Sequence, residues 1–118
     1  MKRIHVHIAV DDLPGAVDFY TRLLGAAPAF GADDYASWSL DSPSLNLAVS
    51  NRHEGPTGVS HLGVETDDAA EVAALAARVQ DAPGYDEGRT SCCYARSTKQ
   101  WVEDPAGVFW ELFQTEGR

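Results

Sequence analysis

The sequence is poor in positive charge. Its 9 lysines and arginines face 18 aspartates and glutamates, for a formal net charge of −9, and the basic residues never form a run. Such a surface repels phosphate backbones and anionic headgroups, which argues against nucleic acid and membranes as partners. Also missing is any apolar run long enough to span a bilayer. The opening MKRIHVHIAV alternates histidine with aliphatics. It therefore has neither the uninterrupted apolar core nor the small-residue cleavage site of a signal peptide. A cytoplasmic location, where thiols stay reduced, is the expectation. Cysteine is scarcer still, with two residues, Cys92 and Cys93, side by side in SCCYA. Adjacent Cα atoms lie about 3.8 Å apart, short of the roughly 4.4–6.8 Å usual for a disulfide. A bond between them would be strained and easily reduced, and a poor staple. A soft-metal clamp remains open, as does a plainer reading in which one thiol packs as a small hydrophobe and the other is idle.

What is present is one domain's worth of chain, 118 residues of which 44% are apolar and 23% charged. Residues 3–10, RIHVHIAV, alternate as a strand does. Ile4, Val6, Ile8 and Val10 share a packing face, while His5, His7 and Ala9 share the other. In DDLPGAVDFYTRLLG, Asp12 suits an N-cap, Pro14 the first turn and Gly25 the stop of a helix. Leu13, Val17, Tyr20 and Leu24 fall on one stripe of it.

The pattern then begins again. HVHIAVDD (5–12) and HLGVETDD (61–68) match at the first histidine, a valine-side position and the closing Asp pair, at a constant offset of 56. AAEVAALAARVQ (69–80) predicts a second amphipathic helix with Val72, Leu75, Ala76 and Val79 inward. Short strands are predicted around 35–40 and 45–49 in the first half, and around 91–95, 99–103 and 108–114 in the second. The chain thus reads as two copies of a strand–helix–strands unit, each too small to fold alone. In EDPAGVFWELF, Asp104-Pro105-Ala106-Gly107 reads as a turn with Pro second and Gly fourth. Beyond it, Phe109, Glu111 and Phe113 share one strand face. Glu111 on an inward face needs a partner, because burying an unpaired charge is costly; on an edge strand it would simply reach water.

The paired openings H-x-x-x-x-x-D-D, the two units and the closing DPAGVFWE resemble the vicinal oxygen chelate superfamily, which includes glyoxalase I, extradiol dioxygenases and bleomycin-resistance proteins. The resemblance covers essentially the whole chain. It implies an α+β fold: a single domain of two paired βαβββ modules, about 1–52 and about 58–118, whose curled mixed sheet surrounds a metal cleft. Ligands in such proteins come from the first strand of each module and from a module's last strand, which here means His5, His61 and Glu111. Two imidazoles and a carboxylate are the set associated with non-haem Fe(II) and dioxygen, so the resemblance implies Fe(II) or another divalent metal. LNLAVS (45–50) departs from glyoxalase I in offering no carboxylate as a fourth ligand, only Asn46.

Within the superfamily, TSCCYARSTKQWVEDPAGVFWE most resembles the carbon–arsenic lyase and cadmium-induced protein group. That resemblance implies an enzyme in which Cys92 and Cys93 capture a trivalent organoarsenical as small-molecule substrate. Fe(II) and dioxygen then cleave its carbon–arsenic bond, releasing arsenite with formaldehyde or a phenol. As(III) is soft and thiophilic, which suits two thiolates. Lys99, Trp101 and Tyr94 are implied as further substrate-side residues, although Lys99 as a surface charge and Tyr94 as core are the plainer readings. His7 stays unassigned, and His53, in the Gly/Pro-punctuated NRHEGPTG, is expected to be solvated. The competing readings are a glyoxalase-like or other metal-dependent enzyme of the superfamily, and a non-enzymatic protein that sequesters soft metal or drug. A second copy of the chain as partner is left open.

Overall fold

A computed structural model describes residues 2–92 and 95–117, with backbone alone at 89, 91, 92, 95 and 117. The described chain packs as two units, one of residues 5–60 and one of the remainder, in which the first few residues join those from His61 onward. Among the described residues there are eight strands and two helices, and no helix is long and apolar enough to cross a membrane.

The first unit runs β1 (Arg3–Ala9), α1 (Leu13–Leu24), β2 (Phe30–Ala32), β3 (Tyr35–Asp41) and β4 (Ser44–Ser50), with the strands in the order β2-β3-β4-β1. Asp12 caps α1 by accepting from the Gly15 N–H at 3.0 Å. Gly25 ends the helix in the left-handed conformation, φ 70°, which costs a residue without Cβ little. The helix lays Leu13, Val17, Tyr20 and Leu24 on the cluster of Ala36, Trp38, Leu47 and Val49. Trp38 is core, its indole N–H donating to the Ala26 carbonyl at 2.9 Å. Val6, Ile8 and Val10 join this core. Ile4 does not: it is 48% exposed although it shares their strand face.

The second unit runs β5 (Gly58–Thr66), α2 (Ala69–Arg78), β6 (Gly84–Cys92), β7 (Ala95–Glu103) and β8 (Phe109–Gly117), in the order β5-β8-β7-β6. In each unit the opening strand lies beside the closing one, so the repeat seen in the sequence is a repeat of topology. Here β5 pairs parallel with β8, while β6–β7 and β7–β8 are antiparallel, which makes the unit's sheet mixed. Asp68 caps α2 through the Glu71 N–H at 2.8 Å. Val72 and Ala76 are buried against Leu112, with Leu75 and Val64 packed alongside. Val79, expected inward, lies just past the end of α2 as its C-cap and is 40% exposed.

The strands differ most from expectation in β6, which begins at Gly84 rather than near 91. Its first residues, GYDEG, have weak strand propensity, and pairing with β7 carries them across a bulge between Asp86 and Gly88. The short β2 has no alternation to reveal it. The 104–107 turn forms as expected. Asp104 accepts from the N–H groups of Ala106 at 2.8 Å and Val108 at 2.9 Å, and from the Trp110 indole at 3.3 Å. Those donors, the Val108 amide foremost, hold the Asp104 carboxyl below the usual carboxylate range.

Candidate metal centre

Glu111 lies mid-way along β8, paired with Gly63 of β5 on one side and Trp101 of β7 on the other. It is therefore on an interior strand of its unit, not an edge, and is 4% exposed. The glycine at 63 is what permits the approach: a Cβ there would collide with the Glu111 backbone oxygen. The partner that burial demands is Lys99, whose Nζ lies 2.7 Å from Glu111 Oε2. Lys99 is itself only 8% exposed, so it is no surface charge. The other carboxylate oxygen, Oε1, faces His61 Nε2 at 3.6 Å.

That last separation carries chemical information. It is longer than a strong hydrogen bond. Two donors each about 2.1 Å from one cation can lie up to about 4.2 Å apart. An imidazole nitrogen and a carboxylate oxygen at this spacing fit a shared divalent ion, and both are ligand types such an ion takes. Trp101 packs its ring edge-on to His61, centroids 5.0 Å apart at 75°. Its indole N–H donates to Glu87 Oε1 at 2.8 Å, and Tyr85 stacks on it at 6.4 Å and 26°. His61 thus has one aromatic ring, Trp101, against it, itself backed by Tyr85.

His5 belongs to the first unit, where it is buried. Its Nδ1 lies 3.1 Å from the backbone oxygen of Asn46 and 3.0 Å from that residue's Oδ1. His7, two residues on, hydrogen-bonds through Nε2 to Ser50 Oγ at 2.9 Å, and the two imidazoles stack at 6.4 Å. His53 is not simply solvated. Its Nδ1 lies 2.7 Å from the Gly55 carbonyl and its Nε2 3.1 Å from Asp11 Oδ1. These acceptors, the carbonyl first, raise its pKa above 6.5.

Of the two thiols, Cys92 is the last residue of β6, in register with Ala95 of β7; Cys93 and Tyr94 lie outside the described residues. An apolar depression of about 1020 Å³ under the end of α2, lined by Leu75, Val79, Val102, Trp110 and Leu112 among others, includes none of His61, Lys99, Trp101 or Glu111. Reading the sequence for chemistry passed over the contacts of Asn46, Ser50, Glu87 and Tyr85. A signal for the first two was there: Asn46, Ala48 and Ser50 alternate in β4 against the apolar Leu45, Leu47 and Val49.

Comparison with known proteins places this architecture. The profile of the Glyoxalase/Bleomycin resistance protein/Dioxygenase superfamily matches residues 2–112. The trivalent organoarsenical cleaving enzyme of Bacillus sp. is 38% identical over 120 residues, spanning 98% of this chain and 74% of that protein. The protein of the same name from Thermomonospora curvata is 35% identical, spanning 99% and 80%. The cadmium-induced protein CadI of Mycobacterium tuberculosis is 38% identical over 116 residues, spanning 96% and 76%. Among solved structures, a superfamily member from Vibrio splendidus superposes with TM-score 0.63 at 16% identity, covering 98% of this chain and 99% of that one. Methylmalonyl-CoA epimerase of Streptomyces coelicolor reaches TM-score 0.67 at 21%, covering 97% and 94%. The doubled strand–helix–strands units, a profile match over residues 2–112 and relatives 35–38% identical over nearly the whole of this chain all agree: the chain belongs to the glyoxalase/bleomycin resistance protein/dioxygenase superfamily.

Proposed function

We propose that this protein is a carbon–arsenic lyase that cleaves trivalent organoarsenicals in the reducing cytoplasm, using Fe(II) and dioxygen. The observation that carries this reading is identity of 35–38% over nearly the whole chain to proteins named as trivalent organoarsenical cleaving enzymes. The adjacent Cys92 and Cys93, which suit a thiophilic substrate, add to it.

In this reading, as the resemblance to the superfamily implies for modules of about 1–52 and 58–118, His5, His61 and Glu111 are the ligands of a single divalent metal. When bound, Fe(II) supplies dioxygen activation beside the substrate carbon. The two thiols each displace a hydroxyl from arsenic as water, leaving a bis-thiolate that holds the carbon–arsenic bond in one orientation. Lys99, through its bond to Glu111 Oε2, keeps Oε1 turned toward His61 as the ligand atom. Trp101, edge-on to the imidazole, shields one side of it from bulk water. For a methyl substrate the balance closes on one dioxygen. One oxygen atom leaves with carbon as formaldehyde and the other with arsenic as arsenite, which stays trivalent, and carbon gives up the electrons dioxygen takes.

The test is to load the protein anaerobically with Fe(II), add a trivalent methylarsenical and oxygen, and follow arsenic speciation. The expected result is arsenite and formaldehyde in equal amounts, with loss of turnover at low substrate in Cys92→Ser and Cys93→Ser at unchanged metal affinity. Wild-type turnover in either serine variant would refute the two-thiol clamp. Arsenic or cadmium bound without product would point to sequestration instead. His61→Ala and Glu111→Ala should lose metal binding while staying folded.

A further inference from the structure

The contact between His5 and Asn46 has a directional logic. His5 Nδ1 approaches two oxygens of residue 46, the backbone carbonyl and the side-chain amide oxygen. An amide side chain alone would leave the direction open, because oxygen and nitrogen can exchange places. The backbone carbonyl removes that freedom: it can only accept. In the neutral ring Nδ1 must therefore carry the proton, Asn46 must present Oδ1, and Nε2 must carry the lone pair. We infer that Asn46 is a positioning residue for His5: its backbone carbonyl fixes the tautomer and its side-chain oxygen steadies the ring plane, so that Nε2 is the metal-donating atom.

The inference rests on the reading of His5 as a ligand and deepens it. Asn46 stands on β4, the last strand of its unit, where a carboxylate would act as a further ligand. An amide turned onto His5 instead supports the imidazole and adds no negative charge to the site. Groups that accept from the second nitrogen of a ligating histidine typically set metal affinity by about 10–100-fold. Because the backbone carbonyl of residue 46 persists in any variant, removal of the side chain should cost the lower end of that range, about tenfold.

The experiment uses the full chain and the metal ion alone. Proton–nitrogen correlation spectra of metal-free protein should show His5 protonated at Nδ1, and calorimetric Fe(II) titration under anaerobic conditions should give its affinity. Asn46→Leu should leave Nδ1 protonated against the backbone carbonyl but free the ring plane, and weaken the metal about tenfold. Asn46→Asp, which keeps an acceptor at the same place and adds a negative charge, should retain the tautomer and bind metal at least as tightly as wild type. A purely structural Asn46 would lower melting temperature in Asn46→Leu without changing metal affinity, and that result overturns the proposal. So does wild-type His5 protonated at Nε2, which needs no variant to fold. If His5→Ala loses affinity while Asn46→Leu does not, the inference about Asn46 fails and the ligand reading stands. If His5→Ala binds metal as wild type does, the ligand reading itself has failed.

Discussion

Replacing Lys99 by methionine tests the charge balance at Glu111. The side chain keeps its length and apolar stem but loses the ammonium 2.7 Å from Glu111 Oε2. With the carboxylate 4% and the lysine 8% exposed, water cannot take over that role. Removing one member of a buried pair typically costs about 3–5 kcal/mol, because the other charge is left uncompensated. His61 Nε2, 3.6 Å from the second oxygen, offers some relief, so the lower figure, about 3 kcal/mol, is expected. For a domain of this size each kcal/mol is worth roughly 4 °C, so metal-free Lys99→Met should melt about 12 °C below wild type. A divalent ion on Glu111 restores a positive neighbour, so the deficit measured with saturating metal should be much smaller than with chelator. Thermal and urea unfolding of both forms provide the assay. A loss below about 0.5 kcal/mol, the scale of an exposed pair, would refute the burial argument. An equal loss with and without metal would refute Glu111 as a ligand.

Two other perturbations follow from the same geometry. Gly63→Ala places a methyl group against the Glu111 backbone oxygen, so β5 and β8 must move apart; a loss of about 1–3 kcal/mol in urea unfolding is expected, with weaker metal binding, and wild-type values for both would show the close approach to be dispensable. His53 has a raised folded-state pKa from the Gly55 carbonyl and Asp11, so its contribution to stability is complete below the unfolded value of about 6.5 and is lost as pH rises through the higher folded value. Wild type should therefore lose stability relative to His53→Gln across that window, and parallel pH profiles would rule the contact out as a stabiliser.

Local chemistry made much of this fold readable. Asp12 and Gly25 are end signals that depend on neighbours a few residues away, and each acts as its residue type demands. The alternation of residues 3–10 gave β1, and the 104–107 turn gave the start of β8. What stayed hidden depends on partners remote in sequence. GYDEG becomes strand because β7 supplies its hydrogen bonds, and Val79 turns outward because the chain leaves the helix at Arg78. Glu111 announced that it needed a counter-charge but not which one. Lys99, read by itself, looked like a surface residue, and only the β7–β8 register puts it beside the carboxylate. In the same way the alternation of Asn46 and Ser50 was visible, whereas their pairing with His5 and His7 required β4 to lie beside β1.

The parallel pairing of β5 with β8 bears on when the His61–Glu111 pair comes into being. Between these strands run α2, β6 and β7; the β6–β7 and β7–β8 hairpin contacts are short-range and cheap in chain entropy, whereas joining β5 to β8 closes the longest loop among these four strands. No contiguous fragment short of that whole span carries both side chains. On the ribosome the pair cannot form until β8 has emerged, so a nascent chain meets metal ions with its two strongest candidate ligands still far apart.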